Sequence, residues 1–357
     1  MFNLKQLGWN NFFENEFESY KRQGFSAGRI AIENKTNYLV YTEAGEATGE
    51  CSGKLMFATE DNSDLPKAGD WVAVSLYDNN EKAVIHEVVN RHTKLSRKSP
   101  DKKVSEQVIA ANIDIVFIVQ ALDDNFNINR LERYLTAVYQ SGAKPVVVLN
   151  KSDLCPDVET KISKVKKIKD ELDVVAVSAV DKTGISNLYQ YISEGVTIAF
   201  IGSSGVGKST LINLLLGEEH FKTNAIRESD SRGKHTTTHR ELVLLPDGGM
   251  LIDTPGMRGF LMWSSQSSLN KTFDEFGEFA VECHFKDCTH IHETGCAVLQ
   301  ALNDGLIEEE RYRNYLKLHK EVKYLETKTD KFAELEEKRK WKNIHKEIKR
   351  YFKDKDK

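Results

Sequence analysis

Short β-branched and aromatic runs separated by turn residues occupy the first quarter of the chain: AGRIAIE, NYLVYTE, DWVAVSLYD and EKAVIHEVV, with Gly45, Gly49, Gly53, Gly69 and the Asp78-Asn79-Asn80 turn between them. About five short strands in roughly 65 residues predict a small antiparallel β domain, with an OB-type barrel as the favoured closure. Residues 1–26 predict a helical or irregular lead in which Trp9, Phe12, Phe13 and Phe17 serve packing. After RHTKLSRKSPDKK the period changes. IDIVFIVQAL and PVVVL read as buried strands around the amphipathic helix INRLERYLTAVYQSG. A charged helix from Lys161 to Glu171, the strand VVAVSA, a helix from Ile185 to Ile192 and the strand VTIAFI follow. Strands alternating with helices predict a mostly parallel α/β sheet with its ligands at the carboxyl ends of the strands. LVLLP and GMLID, joined by Asp247-Gly248, predict a hairpin. Beyond Ser264 comes a Cys/His segment and then LIEEERYRNYLKLHKEVKYLE, where Tyr315, Leu318, Val322 and Leu325 form one helical face.

The expected organisation is a lead (1–26), an OB-like β-barrel (27–90), a basic linker (91–104), an α/β domain (105–264), a Cys/His module with helices (265–337) and a basic tail (338–357). Charge sharpens this division. The 357 residues carry 50 Lys plus Arg against 54 Asp plus Glu, a net −4, which excludes a uniformly basic nucleic-acid binder. Two stretches run the other way, 91–103 at +5 and 338–357 at +7, so the rest of the chain is strongly acidic. No run approaches the ~18 apolar residues of a membrane helix, so no membrane partner and a cytoplasmic location are expected. Five cysteines are too few and too uneven for a disulfide framework. Cys283, Cys288 and Cys296 crowd together with His290, and in a reducing compartment that reads as metal. Cys51 and Cys155 read as ordinary small residues.

Candidate chemistry begins at Gly202-Ser203-Ser204-Gly205-Val206-Gly207-Lys208-Ser209-Thr210, which satisfies G-x-x-x-x-G-K-[ST] between a predicted strand and a predicted helix. Such a loop wraps phosphates with backbone N–H groups, Lys208 reaches the β and γ phosphates, and Ser209 can ligate Mg²⁺. Asn150-Lys151-Ser152-Asp153 follows the strand PVVVL. The Asp153 carboxylate can accept from guanine N1–H and N2–H₂, a donor pair adenine lacks. Lys151 would lie along the base, Asn150 would brace the loop, and Ser178-Ala179 can offer a backbone N–H to guanine O6. Asp253-Thr254-Pro255-Gly256 ends GMLID, placing Asp253 toward Mg²⁺ and the Gly256 N–H toward the γ-phosphate. Between the two lies GKHTTT, where Thr236 or Thr237 is the candidate switch ligand to Mg²⁺.

Order matters too. Ras-type GTPases run phosphate loop, switch threonine, DxxG, NKxD, SA; here NKSD and SAV precede the phosphate loop. The domain therefore reads as a circular permutation. With these motifs the chain resembles the RsgA/YjeQ family of circularly permuted, small-ribosomal-subunit-dependent GTPases, over nearly its whole length. That resemblance implies an OB barrel, a permuted GTPase domain and a zinc module. It also implies GTP hydrolysis to GDP stimulated by the small subunit and its rRNA, in late maturation of that subunit; a monomer is expected. Met257 stands where Ras-type enzymes carry a water-orienting Gln, and His235 beside the switch threonines is the candidate to position water, a role the resemblance supports. Cys283, Cys288, His290 and Cys296 give one structural Zn²⁺ a full set; His284 and His292 compete for the nitrogen position, and the family spacing favours His290. A P-loop kinase or ATPase is the rival within enzymes, and a GTP-regulated checkpoint protein the rival outside them.

Overall fold

The computed structural model describes residues 1–59, 63–99, 104–217, 240–253, 263–329 and 335. The lead carries α1 (Asn11–Arg22), capped by Asn10, whose side chain accepts from the Phe12 and Phe13 N–H groups. Phe13 and Phe17 are buried, and Trp9 meets Trp71 edge-on at 4.7 Å between ring centroids. The aromatic lead is thus part of the core.

β1 (Ser26–Glu33), β2 (Tyr38–Thr42), β3 (Gly45–Cys51), β4 (Trp71–Tyr77) and β5 (Lys82–Val88) form a closed barrel in the order β1-β2-β3-β5-β4, with β4 returning to β1; α2 (Gly53–Ala58) lies between β3 and β4. Among the described barrel strands, β3 and β5 are the one pair in parallel. β3, GEATGEC, lies in one of the glycine-bearing pieces expected between strands. Its Gly49 is required by close packing, since a Cβ there would lie 2.8 Å from Val40 and 3.2 Å from Ile85.

The stretch expected as a linker contains a strand. β6 (Lys94–Lys98) pairs antiparallel with β7 (Glu106–Ala111). Its charges are largely engaged inside the chain. Arg91 donates to both oxygens of the buried Asp70 at 2.8 Å, Lys94 pairs with Glu106 at 2.8 Å, and Lys98 lies over the Tyr324 ring. Of the basic linker expected over 91–104, residues 100–103 lie outside the described residues, and the described part is built into this hairpin.

The second sheet runs β10 (Asp173–Ala176), β9 (Lys144–Asn150), β8 (Ile115–Ala121), β11 (Thr197–Ile201), β13 (Met250–Asp253), β12 (Glu241–Leu244), all parallel except β12. Its buried strands carry two apolar faces. One, with Phe117, Val148 and Phe200, packs on α5 (Lys208–Leu216); the other, with Ile118, Leu149 and Ile201, packs on α3 (Ile128–Ser141). The charged helix is shorter than expected, α4 (Val158–Lys166), and 185–192 is a 3₁₀ turn over Ile185–Tyr191.

β12 also pairs with β1, so barrel and sheet are continuous. The fully buried Arg29 of β1 secures this junction, donating to Leu7 O, Asn112 O at 3.1 Å and Thr197 Oγ1 at 2.8 Å. Burial draws its pKa down to about 10, against the pull of Asp114 and Asp70, so it stays charged at neutral pH.

The C-terminal module comprises α6 (Gln266–Thr272), α7 (Asp274–Ala280), α8 (Ala297–Asn303) and α9, described over residues 309–329. Tyr315, Leu318, Val322 and Leu325 are buried as one face of α9. The module sits on α3. There Arg311 holds the buried Glu132 at 2.6 Å, Arg133 grips Glu321 through two bonds of 2.6 and 2.9 Å, and Thr136 bonds Thr272.

Candidate nucleotide site and metal centre

β11 is buried at every position and ends at Ile201; the chain then turns through 202–207 into α5. Two glycines are dictated by close approach. A Cβ on Gly202 (φ +147°) would sit 2.4 Å from Val119 O, and one on Gly207 (φ +94°) 2.2 Å from Asn150 Nδ2. Val206 is buried beneath the loop, while Ser204, Gly205 and Ser209 are exposed and Ser203, Gly207, Lys208 and Thr210 half-buried. The Lys208 ammonium donates to Gly202 O at 2.9 Å and Ser203 O at 2.6 Å, so it is drawn over the loop. Gly207 precedes α5 with no side-chain cap, leaving the helix's first N–H groups and its positive end to an anion.

The base-reading motif lies at the end of β9, beside that loop in the fold. Buried Asn150 donates from Nδ2 to Val206 O at 2.8 Å, and its Oδ1 accepts the Ala179 N–H at 3.1 Å. One side chain therefore joins the phosphate loop, the NKSD turn and the SAV turn. Ser178 Oγ donates to Asp153 Oδ1 at 2.7 Å, orienting an exposed carboxylate. Lys151 is held in the left-handed region (φ +63°), and the Ser152 N–H bonds Val177 O. Ser178-Ala179 is expected to offer a backbone N–H to guanine O6, and either candidate has a partner within the chain: Ser178 N–H bonds Thr183 O and Ala179 N–H bonds Asn150.

Asp123, two residues beyond β8, is a participant the sequence reading missed. Its Oδ2 accepts from Lys151 Nζ at 2.8 Å and its Oδ1 from the Asn125 N–H at 2.9 Å. Partial burial works against the charge of Asp123, but these two donors prevail and hold the carboxyl below the usual aspartate range. Asp253 closes β13, next to β11 at the same carboxyl edge. His235, Thr236, Thr237 and Gly256 lie outside the described residues, as does the basic tail 338–357.

In the C-terminal module the Sγ atoms of Cys283, Cys288 and Cys296 and a ring nitrogen of His290 all lie within 4.8 Å of one another. A tetrahedron with Zn–S near 2.3 Å and Zn–N near 2.05 Å has edges of about 3.8 Å (S···S) and about 3.6 Å (S···N). The observed edges are 3.9 Å for Cys283–Cys296, 3.6 Å for Cys283–His290 and 3.4 Å for Cys296–His290. Donor set and spacing both fit a closed four-coordinate ion. His284 and His292 are exposed and outside the cluster. Burial lowers the His290 pKa, favouring the neutral ring that ligates metal. The loop is shaped by Glu293, also missed from sequence, whose carboxylate accepts N–H bonds from Thr289, Ile291 and His292. Tyr312 donates to His290 O at 2.6 Å, tying the loop to α9.

The family described as "RsgA GTPase" matches residues 88–263, and that described as "50S ribosome-binding GTPase" matches 197–356. The chain is 42% identical over 336 residues to "Small ribosomal subunit biogenesis GTPase RsgA" of Opitutus terrae, covering 92% of each. It is 40% identical over 323 residues to "Small ribosomal subunit biogenesis GTPase RsgA 2" of Vibrio vulnificus, covering 90% of this chain and 89% of that one. Among solved structures it is similar to YjeQ from Thermotoga maritima, with a TM-score of 0.63 and 26% identity over 84% of this chain and 98% of that one.

Proposed function

The chain belongs to the RsgA family of circularly permuted GTPases, a family of GTP hydrolases, and from that premise we propose that it acts in maturation of the small ribosomal subunit, binds its rRNA, and is stimulated by it. The observation that carries the nucleotide assignment is Asn150. It joins Val206 of the phosphate loop to Ala179 of the SAV turn, so three motifs far apart and permuted in sequence converge on one carboxyl edge.

In this reading Asp153, aimed by Ser178, accepts from guanine N1–H and N2–H₂, while Lys151 lies along the base. Since the Ala179 N–H already serves Asn150, it reaches guanine O6 only as a shared or exchanged donor. Lys208 releases Gly202 O and Ser203 O to reach the β and γ phosphates, and the N–H groups of 203–210 wrap them. Ser209, Asp253 and either Thr236 or Thr237 are the residues to hold Mg²⁺, which when bound neutralises charge on the phosphates. His235 positions the attacking water, the Gly256 N–H meets the γ-phosphate, and Lys208 with the loop's donors stabilises the charge that develops on it. Met257, a thioether, cannot orient water, so turnover by the free chain is slow.

We assign the Cys283, Cys288, His290, Cys296 cluster one structural Zn²⁺, because all four positions are protein ligands and none is left for substrate. The protein works as a cytoplasmic monomer, and no helix of the described residues is long and apolar enough to cross a membrane. The basic stretch 91–103 and the tail 338–357 are the two segments whose charge suits rRNA phosphates. The test is nucleotide competition. GTP and GDP should displace a fluorescent guanine nucleotide while ATP does not, and Asp153→Asn should move preference toward XTP. ATP competing as well as GTP would defeat the guanine reading.

A further inference from the structure

Lys151 is fixed at both ends, and only one end is explained by its motif. Its backbone lies between buried Asn150 and Ser152, whose N–H bonds Val177 O at 3.1 Å, and it takes a left-handed φ of +63° that a lysine adopts only when its surroundings impose it. The ammonium at the other end is bonded at 2.8 Å to Asp123. Asp123 belongs to the neighbouring strand's exit: Ala121, the last residue of β8, is the register partner of Asn150. The carboxylate is itself oriented, since the Asn125 N–H occupies its other oxygen. With side chains 29% and 23% exposed, Lys151 and Asp123 are neither a solvated surface pair nor a core pair. A long four-carbon side chain has much rotamer freedom to lose when a ligand settles on it. Here that freedom is already restricted before the ligand arrives.

We propose that Asp123 is a positioning residue for the nucleotide: by holding the Lys151 ammonium it lays out the lysine stem on which the base rests, and so slows nucleotide release. The inference rests on the assignment of Lys151 to the base, and it separates two jobs within one site. Asp153 distinguishes guanine from other bases through its hydrogen-bonding edge. Asp123 acts through the lysine stem, which meets the flat face that all purines share, so it governs residence time without governing base identity.

The experiment is stopped-flow release of a fluorescent GDP analogue from the full chain. Asp123→Ala should release it about tenfold faster, the size of one charge-assisted hydrogen bond, and Asp123→Glu should stay within about threefold of the parent. The preference for GTP over XTP should be unchanged in both. In a Lys151→Met background, which keeps an apolar stem and removes the ammonium, Asp123→Ala should change release by less than about twofold, because the two residues act as one unit. Asp123→Asn, of equal size, repeats the measurement if the alanine variant does not fold. Unchanged release, a shifted GTP/XTP preference, or fully additive effects with Lys151→Met would overturn the proposal. A parent chain that does not prefer GTP to XTP would instead overturn the nucleotide reading itself, and the proposal that rests on it.

Discussion

Replacing Arg311 by Met tests how the C-terminal module is locked to the nucleotide domain. The Arg311 guanidinium pairs with Glu132 at 2.6 Å and with Glu275, donates to Thr272 O at 3.0 Å, and lies 4.8 Å from the centre of the Phe273 ring. Methionine retains much of the apolar contact and none of the charge. Glu132 is 1% exposed and, among the described residues, keeps Asn314 as its remaining side-chain hydrogen-bond partner, so the variant strands a carboxylate in the interface. Breaking a buried pair from one side costs about 3–5 kcal/mol, against about 0–1 kcal/mol for a solvated pair. The pH dependence follows from the same geometry. Burial raises the native Glu132 pKa, and Arg311 and Asn314 oppose that shift. A raised carboxyl pKa means a contribution to stability present at low pH and lost as pH rises through the native value. Without Arg311 the native pKa rises further, so the deficit relative to the parent should be largest near pH 8 and shrink toward about pH 5. Urea unfolding followed by tryptophan fluorescence and circular dichroism measures it. Arg311→Met combined with Glu132→Gln, which removes the stranded charge, should recover more than half of the loss. A loss below about 1 kcal/mol, a deficit that does not change with pH, or no rescue by glutamine would refute the locked interface.

Three further outcomes are expected. Gly207→Ala places a Cβ 2.2 Å from Asn150 Nδ2 at a φ of +94°, so it should dislodge the residue that joins three loops and weaken GTP binding by about a hundredfold in titration calorimetry. If the Cys283, Cys288, His290, Cys296 cluster holds zinc, Cys288→Ser should carry less than one zinc per chain by elemental analysis and show a lower melting temperature of the C-terminal module, with GTP binding retained. His235→Ala should keep the parent's GTP affinity and lose about a hundredfold in subunit-stimulated turnover.

How much of this was legible before the fold was known varied with the physics of each segment. β8, β9 and β11 are buried on both faces and read as continuous apolar runs, so their order and their loops were visible directly. The face of α9 was visible through its 3-4-3 spacing, and the cysteine cluster through its composition. β3 was hidden because a strand that must let Val40 and Ile85 approach its backbone is written with glycine, the residue that otherwise marks turns. β6 was hidden because Lys94, Arg97 and Lys98 look solvated in sequence, whereas Glu106, Gln107 and Tyr324, distant or across the hairpin, receive them. Asp123 and Glu293 carry no motif of their own. Each acts by holding another site residue, and such a role appears only when the partner's position is known.

GTP turnover of the purified chain, alone and with purified small or large ribosomal subunits across a salt series, decides whether the small subunit is its partner. Slow turnover alone, strong stimulation by small subunits, and loss of that stimulation as salt screens contacts to rRNA phosphates are the expected results. Turnover unaffected by small subunits, or raised equally by large ones, would contradict that partnership.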